Sequence, residues 1–124
     1  MSIRIGIVED NPSIMQSICQ RLEQISDVQL KIKAIHGRDI LDKLTIDPNL
    51  DLIFMDIQMP IMNGYEAATE IRKTNPNTII IAITAGIITG EKEKCLEVGM
   101  NDFIIKPIDK ILFETTLFKW INSL

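Results

Sequence analysis

Apolar and polar positions alternate along this chain as short β-branched runs followed by longer helical stripes. Ile3, Ile5, Ile7 and Val8 form the first run, which ends in the acidic, turn-forming stretch Glu9, Asp10, Asn11 and Pro12. This predicts a strand and a loop, with Asn11 capping a helix that carries Pro12 in its first turn. Ile14, Ile18, Leu22 and Ile25 then recur at the spacing of one buried helical face. Val28 to Ile35 predicts a second strand. Gly37 with Asp39, Ile40, Leu41 and Leu44 predicts a short second helix, closed by Asp47 and Pro48.

The unit then repeats. Leu50 to Met55 is an apolar run broken only by Asp51, and it delivers Asp56 to its carboxyl end before a loop with Pro60, Asn63 and Gly64. A helix is predicted from Tyr65 to Lys73, before Asn75 and Pro76. The run Thr78 to Ile83 is so continuously apolar that both of its faces must be covered. Gly90 to Val98 predicts a polar fourth helix ended by Gly99, Phe103 to Ile105 a fifth strand, and Asp109 to Leu124 a fifth helix. Five βα units of this kind imply an α/β fold, a doubly wound parallel sheet with right-handed crossovers. In such a sheet ligands bind beyond the carboxyl ends of the strands.

Composition narrows the class. With 124 residues, 46% of them hydrophobic and 24% charged, residues 1–124 suit one domain that holds a core without metal or disulfide staples. The net charge of −4 disfavours a phosphate backbone, so direct nucleic-acid binding is not expected. Cys19 and Cys95 are too far apart in sequence to suggest a redox pair or zinc spacing and are expected as reduced core residues. No apolar stretch approaches a membrane span, and MSIRIGIVEDN turns acidic before a signal-peptide core develops. A cytoplasmic protein, or a cytoplasmic piece of a larger one, is expected.

The predicted strand ends bring Glu9, Asp10, Asp56, Thr84 and Lys106 to one rim. Clustered carboxylates repel one another, and a hard divalent cation such as Mg²⁺ resolves the conflict. Added to a lysine and a hydroxyl, they suit phosphoryl chemistry. The carboxylates hold the metal, Lys106 and Thr84 contact phosphoryl oxygens, and one carboxylate acts as nucleophile.

These residues lie within IVEDNP, MDIQMPIMNGYEA (Met55 to Ala67), ITAG (Ile83 to Gly86) and KCLEVGMNDFIIKPI (Lys94 to Ile108), and together the segments resemble the response-regulator receiver domains of two-component signalling. The look is closest to receivers attached to hybrid histidine kinases. The resemblance implies a flavodoxin-like sheet of strand order 2-1-3-4-5. It further implies that Asp56 accepts the phosphoryl group, that Asp10, Asp56 and the backbone carbonyl of Gln58 ligate Mg²⁺, and that Glu9 acts through water. Lys106 and Thr84 would bind the phosphoryl oxygens, Thr84 and Phe103 would form the switch, and the bond before Pro107 would be cis. The donor would be a phosphohistidine on a histidine kinase or a histidine phosphotransfer protein, since no GxxxxGK[ST] loop is present. Phosphorylation would alter the face made by the fourth helix, fifth strand and fifth helix for a downstream protein partner. The chain would catalyse only its own phosphorylation and dephosphorylation.

Some positions depart from the commonest family pattern. Glu9 replaces an aspartate, Phe103 lacks a tyrosine hydroxyl, and Gly86 carries no side chain to screen the phosphoryl group from water. His36 receives no role. Met55, Met59, Met62 and Met100 read as gap fillers, and Glu91 to Lys94 as a solvated helix face. In the fifth helix Phe113, Leu117, Trp120, Ile121 and Leu124 should face the sheet, whereas Ile111 and Phe118 lie on another side as either extra core or a surface for a partner or homodimer. Three other readings compete, one of them a degenerate receiver acting without phosphate, against which all five site positions are filled. A small-substrate aspartyl-phosphate enzyme would need a cap that these short loops do not supply. A flavin module would need a phosphate loop where the chain carries acids instead.

Overall fold

The computed structural model describes residues 2–86 and 90–124. Strand and helix alternate along the chain as β1 (Ile3–Val8), α1 (Pro12–Glu23), β2 (Val28–Ala34), α2 (Gly37–Leu44), β3 (Leu52–Asp56), α3 (Gly64–Thr74), β4 (Ile79–Thr84), α4 (Glu91–Glu97), β5 (Asp102–Ile105) and α5 (Lys110–Ile121). Among the described residues the strands form one parallel sheet in the order β2-β1-β3-β4-β5, as the family resemblance implied.

Strand alternation sorts the side chains into two cores. Ile5, Ile7, Leu52, Phe54, Ile81, Ile83 and Ile104 pack beneath α1 and α5 with Ile18, Leu22, Phe113 and Leu117. Val8, Ile53, Met55, Ile80 and Ala82 pack on the opposite face with Ile40, Ala67, Ala68, Ile71 and Cys95 from α2, α3 and α4. Stacking of Phe54 on Phe113, with ring centroids 5.0 Å apart, ties the central strand to α5. Both cysteines are buried thiols.

Local chemistry sets the helix starts. The Asn11 side chain accepts from the amides of Ser13 and Ile14, so α1 begins where expected. Asn63 and Glu66 cap α3 reciprocally, the Asn63 side chain accepting from the Glu66 amide at 2.9 Å and Glu66 Oε1 from the Asn63 amide at 3.1 Å. His36 caps α2, its Nδ1 accepting from the Asp39 amide at 3.1 Å.

Several boundaries differ from those read in the sequence. β2 stops at Ala34 and leaves Ile35 exposed, β4 begins at Ile79 rather than Thr78 while closing at Thr84 as expected, and β5 begins at Asp102. Leu124 does not face the sheet: α5 ends at Ile121 with Asn122 as its cap, so Leu124 lies beyond the helix and is exposed. Phe113 and Leu117 are buried inward, with Trp120 and Ile121 packed at the core edge. Ile111 and Phe118 are exposed, and so is Leu112, which the sequence reading passed over.

Gly64 opens α3 directly against the end of β3. Its amide donates to the Ile57 carbonyl at 2.8 Å, and a Cβ added there would collide with the Asp56 carbonyl oxygen and come within 2.9 Å of Ile57 Cα. Backbone cannot yield as a flexible side chain does. Gly64→Ala is therefore expected to cost at least about 2 kcal/mol in urea unfolding, an overpacking loss, with β3 and α3 forced apart beside Asp56. A variant as stable as the wild type would contradict that close approach.

Candidate functional site: the carboxylate rim

The parallel register gathers the site. Val8 pairs with Met55, so Glu9 emerges beside Asp56. Asp56 pairs with Ile83, and Thr84 with Ile105, so Lys106 emerges two strands from Asp56 at the same end. Backbone bonds fix each exit, with Glu9 N donating to Ala34 O at 3.0 Å, Ile57 N to Ile83 O at 3.1 Å and Lys106 N to Thr84 O at 2.7 Å. The Lys106-Pro107 peptide bond is cis.

Carboxylate oxygens of Glu9, Asp10 and Asp56 all lie within 4.8 Å of one another. Glu9 is 1% exposed and Asp56 2%, whereas Asp10 is exposed. Lys106 Nζ reaches Asp56 Oδ1 at 3.3 Å and Glu9 Oε1 at 3.2 Å. The contact to Glu9 is an ion pair without hydrogen-bond geometry, and among the described residues neither Glu9 Oε1 nor Asp56 Oδ2, both buried, meets a hydrogen-bond donor. The other Glu9 oxygen accepts from the Asn11 amide at 3.0 Å. One ammonium faces two buried carboxylates, so the charge does not balance. Burial and the Glu9 carboxylate push the Asp56 carboxyl up to about 7, against the pull of Lys106. Burial works against charge on Lys106, but Asp56 and Glu9 together raise its pKa.

The acid set fits a hard divalent cation such as Mg²⁺: it offers all-oxygen donors, two of them buried oxygens lacking a donor of their own. Gln58 lies at the start of the β3–α3 loop, exposed, two residues beyond Asp56.

Thr84 is buried and turned away from this cluster. Its hydroxyl lies 2.7 Å from Glu91 Oε1 and 3.0 Å from the Gly86 carbonyl. The sequence reading missed Glu91, taking it as solvated, because a sign-alternating stretch carries no mark of a partner across a loop. Phe103 is half-buried against the core beneath α4, on the same face of the sheet as Thr84. Ile111 and Phe118 take no part in the rim. Phe118 instead borders a shallow cleft with Ile3, Ile25 and Val28 at the α1 side of the molecule. Leu112 is exposed on α5, and further along that helix Lys119 Nζ lies 3.5 Å from Asp102 Oδ2 of β5.

Comparison with known proteins agrees with this geometry. The model of the response regulator receiver domain matches residues 5–117, and the chain belongs to that family. It is 47% identical to hybrid signal transduction histidine kinase I of Dictyostelium discoideum over 97% of this chain and 8% of that protein. It is 35% identical to two-component response regulator 24 of Arabidopsis thaliana over 82% of this chain and 72% of that protein. The signal receiver domain of a signal transduction histidine kinase from Syntrophus aciditrophicus superposes with a TM-score of 0.85 at 25% identity, covering 99% of this chain and 92% of that one. The chain spans only 6–8% of the length of the histidine kinases of Arabidopsis thaliana and Dictyostelium discoideum that it matches. It is thus a receiver domain of two-component phosphorelay signalling, similar to the receivers of hybrid kinases.

The raised Asp56 value has a stability consequence. Its folded pKa of about 7 exceeds the ordinary 3.8, so between those values the folded state holds the extra proton and stability falls as pH rises. Chelated, metal-free protein is expected to lose melting temperature across that window. Asp56→Asn should flatten the profile, and an unchanged slope in that variant would show that Asp56 is not the group responsible.

Proposed function

We propose that Asp56 is the phosphoryl acceptor, taking the group from a phosphohistidine of a histidine kinase or a histidine phosphotransfer protein. The observation that carries this reading is the convergence of Glu9, Asp10 and Asp56 within 4.8 Å beside Lys106. An Asp56 oxygen attacks phosphorus in line while the bond to the imidazole nitrogen breaks, and the electron pair leaves with the imidazole. Asp56 needs its ionised form to attack. Lys106, 3.3 Å from Oδ1, favours that form and stands ready for the phosphoryl oxygens.

Asp10, Asp56 and the Gln58 main-chain carbonyl are the residues that would hold Mg²⁺, with Glu9 acting through water. When bound, the ion supplies positive charge against the phosphoryl oxygens. Thr84 supplies a further hydrogen bond, and its displacement opens room for Phe103, which shares its face of the sheet. That movement biases the surface of α4, β5 and α5 toward one of two states and so toward a downstream protein partner. Self-phosphorylation and self-dephosphorylation are the only chemistry assigned to residues 1–124, read as one receiver domain. Exposed Ile111 and Phe118 offer a contact surface for a partner or a second copy. No helix among the described residues is long and apolar enough to cross a membrane. A cytoplasmic location suits a phosphohistidine donor.

Intact mass after incubation with Mg²⁺ and acetyl phosphate tests the assignment. One phosphoryl group is expected on the wild type, none on Asp56→Asn, and at least about a hundredfold slower gain on Lys106→Ala, the scale of losing one charge-stabilising donor. An adduct that persists in Asp56→Asn, or an unmodified wild type that also fails to bind beryllofluoride, would contradict it. Phe118→Glu should weaken self-association or partner affinity at least about tenfold if that surface is used, because it buries a charge in an apolar contact. An unchanged oligomer mass and affinity would remove the surface from the account.

A further inference from the structure

The hydroxyl that the phosphoryl group would need is already engaged. Thr84 Oγ1 lies 2.7 Å from Glu91 Oε1 and 3.0 Å from the Gly86 carbonyl, and accepts from the Gly86 amide at 3.3 Å. A threonine hydroxyl carries one proton to donate, and the shorter, charge-assisted contact takes it. The geometry follows from the strand. Thr84 has the same parity as Ile80 and Ala82, whose side chains lie in the core beneath α2, α3 and α4, so its hydroxyl points to the α4 side. Gly90, with φ of +86°, then turns the chain so that Glu91 opens α4 over that hydroxyl.

We infer that Glu91 is a positioning residue that holds Thr84 on the α4 side in competition with phosphorylated Asp56, so that phosphoryl binding must break the Thr84–Glu91 hydrogen bond. The inference rests on the reading of Asp56 as acceptor. Its consequence is twofold. Glu91 weakens phosphoryl recognition by the resting chain, and its bond to Thr84 links the event at Asp56 to α4. Loss of the Thr84 bond bears on the wall of the open cleft that Glu91 lines with Tyr65 and Lys94, where Lys94 Nζ sits 4.9 Å from the Tyr65 ring centre. The cleft is shared with Gln58 and Met59 of the loop that follows Asp56, so both ends of the device meet there.

Beryllofluoride in the presence of Mg²⁺ stands in for the phosphoryl group on an aspartate, and calorimetric titration reads its affinity. Glu91→Ala is expected to bind it about fivefold more tightly, the effect of removing one competing hydrogen bond. Glu91→Gln keeps an acceptor oxygen without the charge and should show a smaller gain. In a Thr84→Ala background the Glu91→Ala change should alter affinity by less than about twofold, because no hydroxyl remains to compete for. A full gain that survives in that background would mark simple charge repulsion and overturn the positioning role. Unchanged or weaker binding by Glu91→Ala, with Glu91→Gln the same, overturns it equally. A wild type that takes up no beryllofluoride contradicts Asp56 as acceptor and removes the competition along with it.

Discussion

Two buried carboxylates, Glu9 and Asp56, stand at adjacent strand ends and share a single ammonium, that of Lys106. In a dry setting such a group of charges is left short of positive charge, and two of its carboxylate oxygens meet no hydrogen-bond donor among the described residues. A chain tolerates this only where the rest of the structure over-determines it. Here the parallel register does so, since Val8 opposite Met55 and Asp56 opposite Ile83 leave the acids no other place to emerge. The imbalance is also what suits the rim to a cation and to a group rich in negative oxygens.

The support beneath the rim is rigid and two-sided. Each central strand buries both faces, one set of side chains under α1 and α5 and the other under α2, α3 and α4. The same alternation divides the functional residues. Glu9, Asp56 and Lys106 project at the strand ends, whereas Thr84 and Phe103 share the face beneath α4. On the proposed reading, the phosphoryl site and the switch residues are thereby separated by one residue of strand parity. The hydrogen bond from Thr84 to Glu91 ties the buried hydroxyl at the end of β4 to the first residue of α4.

Much of this was legible in the sequence, for physical reasons. Continuous β-branched runs such as Thr78 to Ile83 admit few solutions besides a central parallel strand, and an acid that ends each of two such runs has to lie at the carboxyl rim. The details that escaped depend on tertiary placement. Glu91 sits in an alternating run, EKEK, whose pattern reads as solvated; its place beside a buried hydroxyl involves the left-handed turn at Gly90 and the parity of Thr84, which that pattern does not carry. Leu124 keeps the helical spacing of Phe113 and Leu117, but the helix stops at Ile121, and periodicity carries no information about that end. Of the two apolar stripes of α5, the one with Phe113 and Leu117 faces the sheet as its spacing implied, with Phe113 stacked on Phe54 at 5.0 Å; spacing alone left open whether Ile111 and Phe118 would add to the core, and both are exposed.

The claim that the rim is an electrostatically unfinished site is tested most directly by calorimetric titration of the folded chain with Mg²⁺. The account predicts one ion bound per chain, binding lost in Asp56→Asn and in Asp10→Asn, and affinity equal or higher in Lys106→Ala, because the ammonium competes with the cation for the same carboxylates. Absence of binding at millimolar Mg²⁺, or binding that ignores the loss of Asp56, would contradict it.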